Sequence, residues 1–85
     1  MEEIENELCL NHGKKTILIR LGYGNQSESI VGMLEVFTTT FPIKFGVNSL
    51  GVNVLFTATD VKSITEQTES EPLIITLKGP SDYSA

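Results

Sequence analysis

The feature that most constrains this chain is a two-residue alternation that recurs in short runs separated by turn residues. In KTILIRLGY, Ile17, Ile19, Leu21 and Tyr23 fall on one face and Thr16, Leu18, Arg20 and Gly22 on the other. In SIVGMLEVFTT, Ile30, Leu34 and Val36 oppose Val31, Met33, Glu35 and Phe37. FPIKFGV and GVNVLFTA repeat the pattern through Phe41, Ile43, Phe45 and Val47 and through Val52, Val54 and Phe56. A helix cannot hold such a period, because its side chains return to one face every 3.6 residues, whereas a strand requires it. The chain therefore reads as mainly β.

Turn chemistry separates the runs. Asn48-Ser49-Leu50-Gly51 is expected to be a hairpin turn, and Pro42, lacking an N–H, suits a strand start or an outer edge. Gly32 stands inside a strand, where glycine marks a bend, a bulge or a close backbone approach. After Thr59-Asp60, TDVKSI fits one helical turn or a short strand past a sharp corner, and PLIITLKG is a further strand ending at Gly79-Pro80. Before them, MEEIENELCLNHG has Ile4 and Leu8 four apart, acids in its first turns and Asn11-His12-Gly13 as a stop signal, which predicts a short helix over 1–12. The expected architecture is a short N-terminal helix followed by a five- or six-stranded small antiparallel barrel or bent sheet over 15–78. Residues 65–71 are expected to be a flexible connection and 79–85 a loose tail. A sixth strand is expected to pair at an edge or with another protomer.

Eighty-five residues suffice for one domain with a small core. Six Lys and Arg against eleven Asp and Glu leave a net charge of −5, which disfavours a phosphate-backbone partner. The acids are clustered: Glu2, Glu3, Glu5 and Glu7 open the chain and Asp60, Glu66, Glu69 and Glu71 come late, while residues 29–59 carry only Glu35 and Lys44. A single cysteine excludes an internal disulfide, and the chain shows neither a signal-peptide core nor an apolar run of membrane-spanning length, so a cytoplasmic setting is expected. The glycosylation pattern at Asn25-Gln26-Ser27 is treated as chance without a secretion signal.

Candidate chemistry is sparse. GYGNQSES, from Gly22 to Ser29, looks like a phosphate-cradling loop, but such a loop opens a helix and usually carries a Lys; here a strand-like run follows, so a turn is expected. Cys9 and His12 lie three apart without a third group to orient the imidazole. One His and one Cys cannot cage a metal within one chain, and no acidic loop has EF-hand spacing. No cofactor and no catalysis are expected. Phe37 lies opposite Ile30 and Val36, so the second strand is apolar on both sides and must be covered by the helix, a second subunit or a partner. Phe37, Phe41, Pro42, Phe45 and Met33 are the expected partner-binding residues. Lys14, Lys15, Arg20 and Lys44 would serve nucleic acid if they converged.

The order of helix, TILIRL, IVGMLEVF, FPIKFGV, GVNVLFTA and the corner TDVKSI resembles the Sm-like and SH3-like small barrels over about residues 15–65. VGMLEVF followed by VLFTATDVKSI is also similar to the YolD-like group. The Sm-like resemblance implies an RNA-holding ring with an Asn in the loop after the glycine-bent strand and an Arg-Gly or Lys-Gly near the last corner; here those places read Thr38-Thr39-Thr40 and Thr59-Asp60. The YolD-like resemblance implies a small partner of DNA polymerases and agrees with an acidic chain. The function expected is a non-catalytic protein-interaction module, an adaptor or inhibitor docking on a larger protein with a basic surface. The alternatives are an Sm-like ring-forming nucleic-acid binder and an oligomer holding a small molecule at its interface.

Overall fold

The computed structural model describes residues 2–65 and 70–83. A helix, α1 (Glu2–Leu10), precedes six strands: β1 (Lys15–Leu21), β2 (Ser27–Thr38), β3 (Lys44–Ser49), β4 (Val52–Phe56), β5 (Val61–Thr65) and β6 (Leu73–Leu77). Three-residue 3-10 turns occupy Ala58–Asp60 and Pro80–Asp82. The strands form a single sheet in the order β4-β3-β2-β1-β6-β5. It does not close: β4 and β5 remain as edges, so the chain forms the bent sheet of the two expected forms and not the barrel.

All neighbouring strands are antiparallel except β1 and β6, which run parallel, with Thr16 opposite Leu73 and Arg20 opposite Leu77. This corrects the expectation of a wholly antiparallel sheet with a sixth strand at an edge. β6 lies between β1 and β5 because Leu73 and Ile75 are fully buried and Ile74 partly so. A strand apolar on both faces gains most from a place inside the sheet.

The core forms on one side only. Leu18, Leu34, Phe45, Val47, Phe56, Val61, Leu73 and Ile75 meet beneath α1, which contributes the fully buried Leu8 and the flanking Ile4. Phe45 and Phe56 stack with ring centroids 6.0 Å apart. In β1 it is Thr16 and Leu18 that turn inward, Thr16 donating its hydroxyl to the Lys14 carbonyl oxygen at 2.9 Å, while Ile17 and Ile19 take the other face. Both faces of β1 carry apolar side chains, and the helix landing on the Leu18 side decides which is interior.

The local expectations can be placed one by one. The helix ends as Asn11 N–H reaches the Glu7 and Leu8 carbonyl oxygens and Gly13 takes φ +83°. Gly22 to Gln26 form a turn, Gly22 N–H donating to the Gln26 carbonyl oxygen at 2.9 Å, and the chain continues as β2 without a helix. Leu50 and Gly51 close the β3–β4 hairpin, both with positive φ. Gly32 lies where β3 crosses β2 closely, so that a Cβ there would sit 2.6 Å from the Asn48 carbonyl carbon. The 58–64 corner is a 3-10 turn and then a strand. Residues 66–69 of the expected flexible connection lie outside the described residues.

Of the expected loose tail, residues 79–83 are tied to the body of the fold, and 84 and 85 lie outside the described residues. Gly79 N–H and the Lys62 ammonium both hold Asp82, at 2.8 and 3.2 Å, and Tyr83 Oη donates to Asp60 Oδ1 at 2.8 Å. Thr57 N–H donates to the other Asp60 oxygen at 3.0 Å. Asp60 is held below the ordinary carboxylate value of 3.8, chiefly by the Thr57 N–H and against partial burial, with help from the Tyr83 and Thr57 hydroxyls and Lys78. Asp82 is lowered by the Gly79 N–H and by Lys62. Tyr83 is raised above 10.0, mainly by its hydrogen bond to Asp60.

Stability from the lowered carboxyls is present above pH 3.8 and lost as pH falls below it; that from Tyr83 is present below pH 10.0 and lost above it. The Tyr83→Phe variant is expected to melt with a shallower loss at both extremes than the parent chain. Superimposable pH profiles in thermal unfolding would show that the Tyr83–Asp60 contact does not anchor the segment.

Candidate interaction surface

With α1 on one side of the sheet, the other side is left bare. Strand alternation places Ile17 and Ile19 from β1, Val31, Met33 and Phe37 from β2, Leu55 from β4 and Ile74 from β6 on it. The register makes them neighbours: Ile17 is opposite both Val31 and Ile74, and Gly46 is opposite Leu55 and Glu35. Phe37 and Leu55 close over Gly46, where an added Cβ would lie 3.3 and 3.0 Å from them. Val31, Met33, Phe37 and Leu55 are 45–48% exposed. Isolated surface hydrophobics are ordinary, but several gathered on one sheet face are not.

Of the expected contact residues, Phe37 and Met33 belong to this face. Phe41 and Pro42 are exposed in the β2–β3 connection. Phe45 is fully buried and is withdrawn from the contact set, because β3 alternates and Phe45 faces the core while Lys44 and Gly46 face outward. Val31, Leu55, Ile17, Ile19 and Ile74 share the face with Phe37 and Met33 and are not among the expected contact residues. Their signal was present, since β1 and β2 are apolar on both sides, but which side the helix would cover was not.

The four basic residues do not converge. Lys15 is opposite Met33, Lys44 is opposite Thr38, and Arg20 is opposite Glu28 and Leu77 at the far end of β1. Five residues of strand separate Lys15 from Arg20, and five residues of β2 separate the levels of Lys15 and Lys44, about 17 Å in each case. Lys14 precedes β1, its carbonyl oxygen accepting from Leu34 N–H at 3.1 Å. Such spacing gives no continuous track for a phosphate backbone.

A second feature is an open cleft of about 600 Å³ between β4 and the C-terminal ends of β1 and β6, with Arg20, Asn53, Phe56, Lys78 and Tyr83 among its walls. Asp60 also borders it, but both its oxygens are occupied by Tyr83 and Thr57. Cys9 and His12 are exposed at the end of α1 and are joined only through the backbone, His12 N–H to the Cys9 carbonyl oxygen at 3.4 Å. Among the described residues no group of three His, Cys, Asp or Glu is arranged to hold a metal ion, and no helix is long and apolar enough to cross a membrane. No protein family, curated protein or solved structure matches the chain.

Proposed function

We propose that this chain is a non-catalytic protein-interaction module, a small acidic adaptor or inhibitor that docks through the uncovered face of its sheet. The observation that carries this reading is the exposed apolar side chains gathered on the sheet face opposite the helix-covered core, Val31 and Met33 at one end and Phe37 and Leu55 at the other, with Glu35 between the two pairs. Burying such a face returns roughly 25 cal/mol for each Å² taken from water, and the packing of a second protein is the ordinary way for a sheet to achieve it. Glu3, Glu5 and Glu7 lie on α1, which packs on the core side of the sheet, so a contact through the uncovered face is made by apolar side chains and not by these acids.

Affinity capture with the parent chain and with Phe37→Asp tests this. Phe37 is nearly half exposed, so the variant is expected to melt close to the parent while losing its captured protein. Equal capture by both proteins would remove the face from the interaction.

A further inference from the structure

We infer that the occupant of the bare sheet face is a second copy of this chain, packed face to face as a two-fold dimer. This rests on the protein-interaction reading and names its first partner.

The charges on the face point to a copy of itself. Residues 29–59 contain Glu35 and Lys44 as their only charged side chains, and both lie on this face together with Lys15. Along β2, Glu35 falls between the levels of Lys15, opposite Met33, and Lys44, opposite Thr38. None of the three forms an ion pair among the described residues. A strongly charged partner finds no single-signed field here, whereas a surface carrying both signs matches its own copy: in an isologous interface, each residue that meets a different residue is met by it in return. The acids that give the chain its charge of −5 lie mainly on α1 and late in the chain, and α1 points away from the contact. Two copies can therefore approach on this side without bringing their α1 acids together.

Size is compatible with this. Strands about 4.8 Å apart and some six residues long give the face an upper limit of roughly 25 by 20 Å, reduced where the sheet curls so that β4 and the ends of β1 and β6 share one cleft, and two copies therefore bury at most about 1,000 Å² between them, where specific interfaces begin. Sheets pack about 10 Å apart with aligned strands, and Gly46, beneath Phe37 and Leu55, lets those two side chains lie low enough for a second layer. An interface at the small end of the range predicts a reversible dimer.

Light scattering of the full chain from low micromolar to millimolar concentration tests the inference. The expected result is a mass that rises with concentration from 9.3 kDa toward twice that value. Val31→Glu should weaken the dimer at least tenfold. Should Val31→Glu fail to fold, Lys15→Glu with Lys44→Glu changes only exposed side chains. It makes the face uniformly acidic, and should give a monomer at low salt that partly recovers its dimer at high salt. A monomer at every concentration overturns the inference but leaves the interaction reading standing if capture still depends on Phe37. A dimer whose mass ignores both sets of changes overturns it as well, by placing the contact elsewhere.

Discussion

Gly32→Ala is expected to cost the chain a large part of its stability. A methyl group at this position would overlap the Asn48 carbonyl oxygen and lie 2.6 Å from its carbon, with a Val47 methyl at 3.0 Å. The obstruction is backbone, which cannot swing aside as a side-chain end would, so β2 and β3 must part where Met33 pairs with Asn48. A cost above about 4 kcal/mol follows for overpacking against a fixed ladder. That is the lower end of the roughly 4–13 kcal/mol expected for a domain of this size. Gly24→Ala provides the comparison: its φ of +65° strains an alanine, but nothing lies within 4 Å, so a loss of about 1–2 kcal/mol is expected. Urea unfolding followed by circular dichroism measures both. If Gly32→Ala unfolds at the midpoint of the parent, β3 does not cross β2 as described.

Phe45→Ala should be nearly as damaging, although Phe45 belongs to the same aromatic run as the exposed Phe37 and Phe41. Its ring is fully buried and stacks on Phe56 among Leu8, Leu18, Leu34 and Val47. Removing it costs about 3–5 kcal/mol through lost transfer energy and the cavity left behind. Phe41→Ala, at a residue 85% exposed, should change stability by less than about 0.5 kcal/mol. A thermal melt that ranks the two variants equally would contradict the side assigned to β3. The contrast also guards the interaction experiments, because lost capture by Phe45→Ala would report unfolding and not a missing contact.

These two positions mark the boundary between what could be read from the residues and what could not. Strand type, the helix stop at Asn11-His12-Gly13, the turn at Gly22–Gln26 and the hairpin at Leu50-Gly51 follow from local rules, since side-chain period and backbone φ are properties of a few consecutive residues. Gly32 was legible as a special position for the same reason. That it serves a close crossing was decided by where β3 lies.

The sequence alone determined that this chain is small and β-rich with a helix in front, that Gly32 is a special strand position, and that β2 is apolar on two sides. Tertiary structure decided the rest. The parallel pairing of β6 with β1, in a sheet whose edges are β4 and β5, and the anchoring of Tyr83 on Asp60 join residues more than twenty positions apart. No local pattern encodes such pairings. The same holds for the division of the phenylalanines: alternation says that Phe45 and Lys44 face opposite ways, but only the landing of Leu8 and Ile4 on one side makes that side the core. An amphipathic period defines two faces, and it is the long-range packing of the helix that chooses which face is dry and which is left exposed.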